Sequence, residues 1–135
     1  MMNRHITPTE TILLVEDHPC LCEVLATVLR RCGYRVLTAT NGEQACRHAH
    51  EAGAIDLLLG PVELPEMSRE ELATWFRPAQ PHAKIAWMTS GHHTIGSGES
   101  LPVIEKPYIY LDAFIREVRA VLKSKPASHK PALAA

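Results

Sequence analysis

The sequence lacks the features by which several classes of function announce themselves. No stretch approaches the roughly 18 consecutive apolar residues of a membrane span. The segment from Met1 to Glu10 has no apolar core of the signal-peptide kind, so a cytoplasmic protein is expected. Neither sign of charge dominates: 14 Lys+Arg stand against 15 Asp+Glu, for a formal charge of -1. That balance argues against a broad nucleic-acid-binding face, and 2 Trp with a neutral surface make no stacking platform for bases. Neither GxGxxG nor GxxxxGK followed by Ser or Thr occurs, so no phosphate-cradling fingerprint supports a nucleotide. The 4 cysteines, Cys20, Cys22, Cys32 and Cys46, contain no CxxC and fall in segments that read as helices. Reduced thiols are expected, not a disulfide framework or structural zinc.

What is present is enough for one ordinary domain. The 135 residues are 46% hydrophobic and 21% charged, which are globular values. Thr11 to Glu16 (TILLVE) reads as a buried strand. Pro19 suits the first turn of a following helix, Leu21, Val24, Leu25, Val28 and Leu29 supply its apolar spacing, and Gly33 ends it. Val36 to Ala39 is a second strand. Asn41-Gly42-Glu43 opens a helix with Ala45, Ala49 and Ala52 inward, which Gly53 stops. Ile55 to Leu59 is a central strand, broken by Gly60, Pro61 and Pro65. Ser68-x-x-Glu71 is a capping box for a third helix carrying Leu72 and Phe76 inward, ended by Pro78 and Pro81. Lys84 to Met88 and Val103-Ile104 are the last strands, and Leu111, Phe114, Ile115, Val118, Val121 and Leu122 mark a final amphipathic helix. Trp75 and Trp87 read as core or half-buried packing residues.

Strands alternating with helices imply an α/β fold, a doubly wound five-stranded parallel sheet in the order 2-1-3-4-5. The residues between Met88 and Val103 are rich in Gly and Ser, so the fourth helix is expected to be shortened or missing. Residues 1–10 are expected to be a flexible lead, 11–123 the domain, and 124–135 a loose tail or linker.

In an open parallel sheet, sites form beyond the carboxyl ends of the strands. That rule gathers Glu16, Asp17 and His18 after the first strand, Gly60 to Glu63 after the third, Thr89 and Ser90 after the fourth, and Lys106 after the fifth. Two adjacent carboxylates offer oxygen ligands to a hard cation; taken alone, an acidic pair also suits a helix start. A hydroxyl and an ammonium opposite them suit an anion such as phosphate. His18, His92 and His93 read as exposed polar histidines, although imidazole with carboxylate is also a zinc or nickel donor set.

The ordered pieces ILLVEDHP, YRVLTATNGEQA, IDLLLGPVELPEMS, IAWMTS and VIEKPY resemble a response-regulator receiver domain, from about Thr11 to Lys123. The resemblance implies a flavodoxin-like, CheY-like fold that accepts a phosphoryl group from a histidine kinase on an aspartate, with Mg²⁺. It implies metal-binding roles for Glu16 and Asp17, the switch hydroxyl for Thr89 and the phosphoryl-contacting lysine for Lys106. The family's switch aromatic has no counterpart near Pro102 or Val103. Aligned on Asp56 and Pro65, the sequence sets Pro61 where the phosphoacceptor aspartate stands, and Gly60 where an apolar residue precedes it. Asp56 lies towards the opposite end of its strand, and Glu63 is read as a loop acid.

The expectation is therefore a degenerate receiver that is not an enzyme. It would act as a protein-interaction module towards a histidine kinase or another regulator, without direct nucleic-acid or membrane contact. No cofactor is expected beyond weak Mg²⁺ binding at Glu16 and Asp17. The alternative is a receiver-like domain that keeps metal or phosphate binding, or phosphotransfer by an altered mechanism.

Overall fold

The computed structural model describes residues 10–62, 64–89, 103–105 and 111–124. The expected lead, tail and weakened fourth helix lie outside these residues, apart from their boundary positions. In chain order the described elements are β1 (Thr11–Val15), α1 (Pro19–Arg31), β2 (Arg35–Ala39), α2 (Gly42–Glu51), β3 (Leu57–Pro61), α3 (Arg69–Ala79), β4 (Lys84–Thr89), β5 (Val103–Glu105) and α4 (Leu111–Lys123). This is the expected α/β class with a parallel sheet. The body of the sheet runs β2-β1-β3-β4, and the three-residue β5 pairs with β4 at the edge.

All five residues of β1 and all five of β3 are buried. Strands covered on both faces need helices on both, and alternate side chains then enter different layers. Ile12, Leu14, Leu57 and Leu59 pack with Leu25, Leu29, Phe114 and Val118 of α1 and α4. Leu13, Val15 and Leu58 pack on the other side with Ala45, Ala49, Leu72 and Phe76 of α2 and α3.

The helix ends follow local chemistry. Asn41 Oδ1 accepts from the Gln44 amide at 2.8 Å, and Gln44 Oε1 accepts from the Thr40 amide at 2.8 Å. Ser68 and Glu71 form the expected reciprocal box on α3. Gly33 has φ 101°, the left-handed conformation that lets the chain leave α1. Gln80 joins three elements: its Oε1 accepts from the Ile55 amide at 2.9 Å, and its Nε2 donates to the Ala49 and Gly53 carbonyls. Lys84 Nζ donates to the carbonyls of Leu122 and Ser124, 2.6 Å each, closing the last turn of α4 against the start of β4.

Several boundaries differ from expectation. The third strand begins two residues late and runs through Gly60 and Pro61, which pair with Trp87 and Met88. Proline is tolerated there because Val62 N–H donates to the Met88 carbonyl, so strand alternation turns the Pro61 nitrogen towards β1. The β1–β3 pairing has already stopped at Leu14–Leu59, leaving no ladder bond that needs a donor. Helix α2 ends before Gly53, with Ala52 as its extended cap. Helix α3 carries Pro78 in its last turn, ending at Ala79. Trp75 is 56% exposed and Val24 50%, so neither is a core residue. Each lies on the solvent side of a helix whose inward face is already filled by Phe76 or by Leu25 and Leu29.

Trp87, 1% exposed, packs over the glycine in β3. A Cβ at Gly60 would stand 3.4 Å from the Trp87 ring and 3.6 Å from Leu72 Cδ2. The indole therefore occupies the space that a larger residue 60 would fill. Gly60→Leu should destabilise the fold by about 1–3 kcal/mol through overpacking. Trp87→Leu should cost about 2–4 kcal/mol through a cavity. The double variant should be less damaged than the sum by at least about 1 kcal/mol, as read by urea unfolding. Strict additivity would show that the two positions do not share this space.

Candidate functional site

The parallel register brings the predicted site to one sheet edge. Leu14 is level with Leu59, so Glu16 and Pro61, each two residues on, end neighbouring strands at the same level. Pro61 pairs with Met88, one residue before Thr89, and Thr89 pairs with Glu105. The carboxyl edge thus carries Glu16, Asp17, Pro61 and Thr89 in adjacent strands. Lys106, Glu63, Ser90, His92 and His93 lie outside the described residues. Asp56 lies at the opposite end, where its Oδ2 accepts from the Thr11 amide at 2.8 Å.

Glu16 is fully buried, Asp17 half-buried and His18 exposed. The Glu16 amide donates to Ala39 O at 3.0 Å, which ties the end of β1 to β2. The Glu16 carboxylate turns back to accept from the His18 amide at 3.1 Å. This local turn breaks strand alternation, so three consecutive side chains present donors that lie within 4.8 Å of one another. Sequence reading gathered Glu16, Asp17 and His18 after the first strand, and the structure brings these three together; its other grouping, His18 with His92 and His93, falls on residues outside those described. Carboxylate oxygens from Glu16 and Asp17 suit a hard cation. The end of β3 adds no carboxylate, because its side chain there is the Pro61 ring.

A second loop contact was not foreseen from sequence. Glu66, after β3, accepts at Oε2 from the Gly42 amide at 2.6 Å, which places a carboxylate at the α2 N-terminus. The loop that begins at Pro61 is thereby fastened to α2. The only sequence signal was the acid itself, with nothing to indicate which helix it would meet.

Cys22 lies beneath the same edge. Burial, then the carboxylates of Glu16 and Glu23, push its thiol up to about 11, against partial relief from Arg30. The folded-state value is above the ordinary 9.0, so the neutral thiol's stabilising contribution is whole below pH 9 and lost as pH rises through about 11. Unfolding free energy measured across that window should fall by on the order of 1–2 kcal/mol more in the native chain than in Cys22→Ala. Equal falls in the two proteins would remove Cys22 as the cause.

Comparison with known proteins adds the context for this edge. The sequence pattern of the family described as response regulator receiver domain matches residues 12–100. The sensory transduction protein RegX3 of Mycobacterium tuberculosis is 30% identical over 118 residues, covering 84% of this chain and 51% of RegX3. The chain thus spans about half the length of that relative. The receiver domain of the hybrid histidine kinase CckA is 31% identical with a TM-score of 0.71, over 84% of this chain and 99% of that one. TrrA of Thermotoga maritima, crystallised with Mg²⁺-BeF, is 29% identical with a TM-score of 0.69, over 84% of this chain and 99% of TrrA. TrrA has also been crystallised in complex with the histidine kinase ThkA. Among the described residues, no helix is long and apolar enough to cross a membrane.

Proposed function

The chain belongs to the response regulator receiver domain family of two-component signal transduction, and from that premise we propose that it is a pseudo-receiver, not phosphorylated on aspartate, that acts as a protein-interaction module. The observation that carries this reading is Pro61 at the carboxyl end of β3, level with Glu16. Phosphoryl acceptance needs a nucleophile held in line with phosphorus, and a proline ring has none. Glu16 and Asp17 alone also fit Mg²⁺ poorly as a phosphotransfer ion. That ion holds near-octahedral oxygen ligands, and β3 contributes no carboxylate.

The fold does not depend on that chemistry. The residues that fill the two core layers are different from those on the rim, so the domain can persist as a binding surface after phosphotransfer is lost. A histidine kinase or another regulator of the same signalling class is the partner expected for such a surface. The kinase complex formed by the relative TrrA supports that expectation.

Incubation of the full chain with acetyl phosphate and Mg²⁺ should leave its intact mass unchanged. A stoichiometric gain of about 80 Da that is labile to hydroxylamine, as an acyl phosphate is, would overturn the reading. Pro61→Asp should gain Mg²⁺ affinity over the native chain in a calorimetric titration, because it returns a carboxylate beside Glu16 and Asp17. No gain would mean that residue 61 does not face the acidic pair.

A further inference from the structure

Strand β2 is one edge of the sheet, with β1 on its inner side. The Arg35 amide donates to Glu10 O, and the Ala39 carbonyl accepts from the Glu16 amide, so residues 35, 37 and 39 turn their backbone groups to β1. Val36 and Thr38 then turn theirs outward. An open edge of this kind is a template for a further strand. Here its carbonyls are covered by side chains, one from each face of the sheet. Arg30 Nη2, on α1, donates to the Val36 carbonyl at 2.9 Å. His48 Nε2, on α2, lies 2.9 Å from the Thr38 carbonyl, which can only accept, so this nitrogen carries the proton. Gln44 Oε1 takes the next outward group, the Thr40 amide, at 2.8 Å. The Val36 and Thr38 amides have no such cover among the described residues.

We propose that the outer edge of β2 is a strand-addition surface for a second copy of this chain, held shut by Arg30 and His48. The occupant follows from the pattern of backbone groups. The amides and carbonyls of Val36 and Thr38 form a set that is self-complementary about Leu37. In an antiparallel pairing across a two-fold axis, Val36 stands opposite Thr38 of the second copy, and each such pair exchanges both of its backbone bonds. Half-buried Leu37 meets its own mate between them, as the closer pair that exchanges no hydrogen bonds. In the single chain Arg30 and His48 already satisfy the two carbonyls, so strand addition must first displace both side chains on each copy. The surface lies at the opposite edge from β5 and uses none of the rim residues, so it stands apart from the reading on phosphorylation.

Sedimentation equilibrium of the full chain tests this. Arg30→Ala with His48→Ala removes both covers and should raise self-association to a dimer at least about thirtyfold over the native chain, because several modest hydrogen bonds no longer compete with pairing. Each single variant should fall between the two. Amide hydrogen exchange locates the contact: Val36 and Thr38 should exchange freely in the native chain and become protected in the dimer of the double variant. Adding Thr38→Pro, which removes an outward amide and leaves the ladder to β1 intact, should return association to that of the native chain. Circular dichroism checks the fold. Should the alanine pair unfold the chain, Arg30→Met with His48→Leu keeps the packing stems, removes the donors and carries the same expectations. Association no tighter than native in the folded double variant, a dimer that survives Thr38→Pro, or free exchange of Val36 and Thr38 within the dimer would each overturn the proposal.

Discussion

Burial of β1 and β3 on both faces is the constraint on which the remainder of the molecule depends. Apart from Thr11 at the amino end of β1, both strands are apolar, with Ile12, Leu13, Leu14, Leu57, Leu58 and Leu59 all at 0% exposure. Helices must then cover both faces, and parallel strands return only through crossovers long enough to hold them. Polar chemistry has one outlet, the strand ends. Glu16 and Thr89 are two of only three buried polar or charged side chains among the described residues, and each lies at or just past a strand's carboxyl end.

The same constraint explains how the rim can change while the core does not. Gly60 and Pro61 would disrupt the middle of a central strand. They are accommodated because β1 has stopped pairing there and because Trp87 fills the volume left by the glycine. The fold is held by β4 on one side of this pair, through Val62 N–H on Met88 O, and not by β1. Chemistry at the edge is therefore separable from packing one turn below it, which is the condition for a shared fold to host altered sites.

The alternation of apolar runs with capped helices was legible because each signal is local. Asn41, Ser68 and Gly33 act through neighbours within a few residues, and they stand where expected. The end of β3 was misjudged because Gly and Pro are strand breakers by local rules, whereas here Gly60 packs against Trp87, twenty-seven residues away, and Pro61 stands where β1 has stopped pairing. Trp75 was misjudged for a related reason: a large aromatic on a helix suggests burial, but Leu72, Ala73 and Phe76 already cover the inward face. Of the candidate site, Glu16, Asp17, Pro61 and Thr89 were placed on one edge by the strand-end rule alone. The same rule put His18 with Glu16 and Asp17, but not the turn in which the Glu16 carboxylate accepts from the His18 amide, which side-chain spacing does not reveal. Lys106 and Glu63 remain expectations from the resemblance.

The ammonium of Lys84 has a mechanical consequence. It grips the Leu122 and Ser124 carbonyls while its own backbone amide donates to Asp56 O at 2.9 Å. A pull on the chain at Ser124 therefore enters the sheet at the amino end of β4 and travels along a strand of about 20 Å to Thr89. Loaded lengthwise, β4 resists through its bonds to β3 and β5 together, as a lap joint resists shear. The end of α4 and the rim are thereby tied to the two ends of one strand.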